Sequence, residues 1–185
     1  MLVINFLHPP LTSLFSLLKS VYRLIDNPVC LDDTLSGGPF CSIQPRNVIA
    51  YRTSMEKCAG AKTCPSNQNQ NPATCGCAYA YSGKMVFRAP TFKDLTDSDT
   101  FQDLEKSLTT QLNLRAGAVG LSDVHFNDDS YLQVHVELFP SSGTSFNMSQ
   151  VTILGFLFSN QTYKPPPKFG PYFFIGDQYV PFLGT

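Results

Sequence analysis

No run of about 18 uninterrupted apolar residues occurs in this chain, so no segment is expected to span a bilayer. A surplus of charge is missing too. Thirteen basic residues face 14 acidic ones, for a net charge of −1, and the lysines and arginines are scattered. A nucleic-acid binder needs a concentrated positive field, so nucleic acid is excluded as a partner. The sequence contains no G-x-S-x-G, P-loop or dinucleotide fingerprint. It offers no Ser-His-Asp or Cys-His set at believable positions, so no enzyme activity and no cofactor are expected. A basic n-region is also lacking before the apolar stretch Met1–Leu7, and Pro9-Pro10 follow at once, which makes a poor signal peptide.

The few groups that could hold a metal fail on spacing. His125 and His135 flank a turn near Asp128. Pairing about that turn sets His125 opposite Tyr131 and His135 four residues further along, roughly 13 Å away and too far to share an ion. Asp94, Asp97, Asp99 and Asp103 lack the spacing and central glycine of a calcium loop. They suit a helix N-terminus, where the macrodipole favours acidic groups.

What the chain does have is six cysteines within 185 residues, all between Cys30 and Cys77. An even, clustered count favours disulfides and an oxidising compartment. Two N-glycosylation sequons, Asn147-Met148-Ser149 and Asn160-Gln161-Thr162, point the same way. An oxidising signature behind a poor signal peptide suggests a fragment or a truncated gene product. Cys58-x5-Cys64 and Cys75-x-Cys77 do not match the C-x2-4-C knuckles of zinc ribbons, so cystines are the better reading. Cys75 and Cys77 are separated only by Gly76, and alternate residues of an extended chain point apart, which makes their mutual pairing difficult. Each is expected to bond backwards, with Cys58 and Cys64 the near candidates and Cys30 with Cys41 the third pair. Six cysteines allow 15 connectivities, and the sequence does not choose among them.

Three regions follow. Residues 1–29 are leucine-rich and read either as an amphipathic helix from about Thr12 to Leu24 or as a remnant of a leucine-rich repeat ending in V-Y-R-L-I-D-N-P. Residues 30–77 form an irregular cysteine-rich segment, in which Pro65–Pro72 reads as an exposed loop. Residues 78–182 carry regular structure. Tyr131–Phe139 alternates apolar and polar residues with a period of two, the signature of a half-buried strand. Strands are also expected over Lys84–Ala89, Val119–Phe126 and Tyr172–Ile175. One helix is expected from a capping box at Asp99/Gln102 to about Leu114, stopped by Gly117. A second covers about Met148–Phe158, capped by Ser145 or Asn147, with Val151, Leu154 and Phe158 on one stripe. The order βαββαβ predicts an α+β, ferredoxin-like sandwich preceded by a disulfide-clamped irregular segment.

Four stretches together resemble one family. They are D-N-P-V-C at Asp26–Cys30, C-G-C-A-Y-A-Y-S-G-K-M-V-F-R-A-P-T-F-K-D-L at Cys75–Leu95, Asp128–Val151 with its Y-L-Q-V, L-F-P-S-S-G and F-N-M-S, and S-N-Q-T-Y-K-P-P-P-K-F-G-P-Y-F-F-I at Ser159–Ile175. From about Asn27 to Tyr179 the chain is similar to plant leucine-rich-repeat receptor-like kinases, in the subfamily that includes hydrogen-peroxide-responsive receptors. The resemblance implies the extracellular region between the repeats and the membrane span. No kinase motif occurs in this chain, and the leucine-repeat reading of residues 14–29 gains over the helix.

It implies a non-catalytic extracellular module on the outer face of the plasma membrane. That module would couple the ligand-sensing ectodomain to the membrane, with the rest of the receptor or a co-receptor ectodomain as partner. The alternative is extracellular redox sensing of hydrogen peroxide through the cysteine cluster. A small thiol enzyme would need a histidine within the cysteine segment, and none is there. RNA binding by the aromatic strand Tyr172–Phe174 lacks the basic pattern that activity requires.

Overall fold

Alternation of apolar and polar residues builds the centre of the molecule. The computed structural model describes residues 49–182, which lie in one compact unit, Val48–Thr185. Cys30, Cys41, His8 and the leucine-rich residues 1–29 lie outside the described residues. The described chain runs β1 (Asn69–Gln70), β2 (Cys77–Ala78), β3 (Tyr81–Phe87), α1 (Ser98–Gln111), β4 (Val119–Phe126), β5 (Leu132–Leu138), α2 (Met148–Ser159) and β6 (Tyr172–Gly176). β1 and β2 pair as a small antiparallel ladder. β3 to β6 form a second, four-stranded antiparallel sheet in the order β4-β5-β3-β6. Each helix therefore carries the chain past one intervening strand, α1 from β3 to β4 and α2 from β5 to β6. This is the α+β arrangement expected from the order of elements.

β5 fixes which side is the interior. Leu132, Val134, Val136 and Leu138 are fully buried, while Gln133, His135 and Glu137 are only half-buried on the opposite face. Met85 and Phe87 of β3 and Leu121 of β4 face the same side. They form one core with Phe101, Leu104 and Leu108 of α1 and Leu154 and Phe158 of α2. Both helices thus cover one face of the sheet. Phe169 fills the space between β3 and α1, with ring centroids 4.9 Å from Phe87 and 5.9 Å from Phe101. Gly83 is required where β3 meets β6. A Cβ built there would stand 2.4 Å from Phe174 Cζ and 2.5 Å from the Ile175 carbonyl, so any side chain would force the two strands apart.

The helix caps follow local chemistry. α2 begins at Asn147, whose carboxamide oxygen accepts from the Gln150 N–H (2.9 Å) while the Gln150 side chain accepts from the Asn147 N–H (2.9 Å). This is a complete capping box. α1 begins two residues earlier than expected. Its cap is Asp97 rather than Asp99, because the Asp97 carboxylate finds both the Asp99 N–H (3.2 Å) and the Thr100 hydroxyl (2.6 Å). The Thr100 hydroxyl holds the Asp97 carboxyl below its usual range. α1 also stops sooner, at Gln111. Asn113 takes the left-handed turn (φ 52°), while Gly117 (φ 78°) serves the turn into β4.

Two further expectations are corrected. The turn between β4 and β5 is wider than a tight hairpin. The Asn127 carboxamide accepts from the Tyr131 N–H, and the Asn127 N–H donates back to the Tyr131 carbonyl. His125 therefore faces Gln133 rather than Tyr131, and a bulge between Ser122 and His125, with Asp123 at φ 48°, then sets Ser122 opposite His135. Pro65–Pro72 is not wholly an exposed loop either. Asn69 and Gln70 pair with Ala78 and Cys77, and Asn71 and Pro72 are buried.

Candidate functional site

The cysteine segment is a built structure, and one asparagine organises its turn. The Asn71 side chain accepts from the Ala73 N–H (2.8 Å). Its carbonyl accepts from the Cys75 N–H (2.8 Å), and its own N–H donates to the Gly76 carbonyl (2.8 Å). This network folds the chain back from β1 into β2, with Cys75 in the left-handed region at φ 60°. The two cysteines around Gly76 consequently have different partners. Cys75 bonds to Cys58, which sits buried at the end of a short 3-10 turn (Glu56–Cys58), and Cys77 bonds to Cys64. The Cα–Cα separations are 5.2 and 5.4 Å, and all four sulfurs are thereby unavailable for a metal. Each cross-link removes freedom from the unfolded chain worth about 3 kcal/mol for loops of this length.

The clamped segment is fastened to the sheet on both sides. On one side the Asn69 amide donates to the Glu137 carboxylate of β5. Ala78 packs with Ala118 and Phe139, and the Tyr79 N–H donates to the Thr144 carbonyl (2.8 Å). On the other side lies a strap that the sequence did not reveal. Tyr51 stacks on Phe101 with ring centroids 5.0 Å apart, and its hydroxyl donates to Glu105 of α1 (2.8 Å). The Thr53 hydroxyl donates to the same carboxylate oxygen and accepts from the Leu121 N–H of β4 (2.7 Å). The Thr53 N–H donates to the Leu121 carbonyl (2.9 Å). Burial, with the Glu105 hydrogen bond and charge beside it, pushes the Tyr51 phenol above its ordinary value. Tyr51 and Thr53 meet Glu105 from 54 and 52 residues away, and no local pattern signals such a contact.

Between strap, clamp and sheet runs a polar groove of about 530 Å³. Arg52, Lys62, Gln68, Asn69, Ser122 and Glu137 are among its lining residues, and Cys64 contributes to one wall. Its charges are mixed, with no nucleophile–base pair and no cluster of carboxylates.

Other candidates disperse. His125 and His135 lie on the outer sheet face. The His125 Nδ1 is 3.0 Å from the Asp123 carbonyl, and no group of three metal-binding side chains occurs among the described residues. Asp94 accepts from Thr96, Asp97 caps α1, and Asp103 pairs with Lys168 (3.0 Å), so the acidic cluster serves local structure. Asn147 and Asn160, the sequon residues, stand exposed at the two ends of α2. No helix among the described residues is long and apolar enough to cross a membrane.

The fold and the clamp do not by themselves name a relative, but the amino-acid sequence does. Over 164 residues the chain is 30% identical to a probable leucine-rich repeat receptor-like protein kinase of Arabidopsis thaliana. The chain is related to a plant receptor-like kinase. The match takes in 86% of this chain but only 17% of that relative's length. No protein-family model matches the chain, and no solved structure matches it significantly.

Proposed function

We propose that this chain is a non-catalytic extracellular module of a plant leucine-rich-repeat receptor-like kinase, coupling the ligand-sensing ectodomain to the membrane. The observation that carries the reading is the similarity to such a receptor along 86% of the chain. Two features support the location and the coupling role. Cys58–Cys75 and Cys64–Cys77 belong to an oxidising compartment. The strap Tyr51–Thr53, bonded to both α1 and β4, lets the chain arrive on the body at a fixed place rather than through a loose linker. The strand order β4-β5-β3-β6 supports a ferredoxin-like reading of the βαββαβ body. The partners in this reading are the rest of the receptor or a co-receptor ectodomain. The fold carries no function on its own account; the module acts by geometry.

The test is mass-spectrometric mapping of the protein exported by plant cells. Linked peptides joining Cys58 to Cys75 and Cys64 to Cys77 are expected. All four as free thiols in the exported protein would overturn the reading.

One observation favours a second reading, extracellular redox sensing. Cys64 and Cys77 are only half-buried, and Cys64 lines the open groove, so this cystine is within reach of small oxidants and thiols. Titrating thiols after mild reduction with a small thiol, with and without added hydrogen peroxide, separates the readings, since a count that neither rises on reduction nor falls with peroxide sinks the sensor.

A further inference from the structure

α2 is apolar on nearly every side. Leu154 and Phe158 enter the core, yet Ile153 and Phe156 stand 57% and 62% exposed. β6, which α2 covers, is the outermost strand of its sheet. The Arg88 N–H donates to the Pro171 carbonyl and the Asp177 N–H to the Ser82 carbonyl. The backbone groups of Phe173 and Ile175 therefore face β3, and those of Tyr172, Phe174 and Gly176 face outward. Phe173 and Ile175 are themselves 41% and 53% exposed. An open edge beside exposed apolar side chains is a template for unwanted pairing. The β4 edge has the Thr53 strap; among the described residues no strand lies against β6.

The sequon Asn160-Gln161-Thr162 sits where these two surfaces meet. Ile153, Phe156 and Asn160 are spaced i, i+3, i+7, one stripe of the helix. Asn160 is the C-cap, its N–H donating to the Phe156 carbonyl (3.0 Å), so it closes the last turn of that stripe. The next residue reaches the strand, because Gln161 Nε2 donates to the outward carbonyl of Tyr172 (2.9 Å). Asn160 is exposed. Its Oδ1 accepts from the Thr162 N–H (3.0 Å), which leaves Nδ2 pointing away from that turn.

We propose that Asn160 carries an N-linked glycan that covers the apolar stripe of α2 and the open edge of β6. The donor is a lipid-linked oligosaccharide diphosphate. The Nδ2–C1 bond forms, the sugar C1–O bond to diphosphate breaks, Nδ2 loses one proton, and the lipid diphosphate leaves. Asn147, at the other end of α2, does not share the stripe. A glycan there leaves Ile153 and Phe156 uncovered.

The inference rests on the extracellular reading above. The experiment uses the full chain secreted from plant cells: the wild type, the wild type trimmed to a single sugar by an endoglycosidase after folding, Thr162→Ala, and Ser149→Ala. Thr162→Ala removes the sequon but keeps the backbone N–H that Asn160 accepts. Ser149→Ala removes the Asn147 sequon and leaves the capping box. Expected are a glycopeptide at Asn160, a several-fold rise in binding of a hydrophobic dye, and concentration-dependent self-association in the trimmed protein and in Thr162→Ala but not in Ser149→Ala. An exported, cystine-bonded chain that is bare at Asn160 overturns this inference alone, whereas a chain that is not exported and has free thiols overturns the extracellular reading. A change confined to Thr162→Ala marks a folding defect and also overturns it, as does no change in the trimmed protein or an equal change in Ser149→Ala.

Discussion

The clamped segment and the sheet body are held together by different physics. From Glu56 to Ala78 the chain buries little apolar surface, with Cys58, Pro72 and Ala78 the main contributors. It is kept in shape by two cystines and by the backbone groups gathered round Asn71. From Tyr81 to Tyr179 the opposite holds, since 21 buried side chains from both helices, all four strands of the larger sheet and the segments that join them make one core. A region of the first kind keeps its form by limiting what the unfolded chain can do; one of the second kind keeps it by removing apolar surface from water. The two should fail under different insults, and the predictions use that.

The largest effect is expected in the body. Phe101 is fully buried and touches Tyr51, Phe92 and Phe169. Phe101→Ala should cost about 3–5 kcal/mol in denaturant unfolding, with both cystines still formed. A loss below about 1 kcal/mol would break the contrast, because the body would then not depend on its core.

A smaller effect tests the junction between the two regions. Tyr51→Phe removes a hydrogen bond to the Glu105 carboxylate and should cost about 1.5–3 kcal/mol. The same bond predicts a pH dependence. The Tyr51 phenol is raised in the folded state by burial and by Glu105, so the folded protein holds that proton more tightly than the unfolded chain does. The stabilisation is complete below the unfolded value of 10.0 and is lost as pH rises above it. Wild-type stability should fall above about pH 10, and Tyr51→Phe should lose part of that slope. Parallel profiles for the two proteins would mean that the folded state does not hold the Tyr51 proton more tightly than the unfolded chain does.

Legibility in the sequence divides along the same line. In the body, side-chain period exposes the structure. The alternation in Leu132–Leu138 and the helical spacing of Phe101, Leu104 and Leu108 lead to the right elements in the right order. The errors there are of the kind that local hydrogen bonds decide. Asp97 wins the cap because Thr100 lies within reach, and Asn127 widens a turn by holding Tyr131. In the clamp, apolar periodicity says nothing. Pro65–Pro72 looks structureless because the pairing of Asn69 and Gln70 depends on where two cystines and Asn71 bring Cys77 and Ala78. The separation of Cys75 from Cys77 by one residue argued against their mutual bond, but the choice between Cys58 and Cys64 came from the fold. The exposed stripe Ile153/Phe156 was equally hidden, since a helix that is apolar all round does not say which side meets water.

The central claim is that covalent cross-links hold the front of this unit while a packed core holds the rest. Amide hydrogen exchange, followed residue by residue before and after mild reduction of the exported protein, tests it most directly. Reduction should erase protection at the Asn71 and Cys75 amides and leave that of Val134 and Val136 in β5 unchanged. Protection that survives at Asn71 and Cys75 without the two bonds, or that collapses in β5 along with them, would contradict the account.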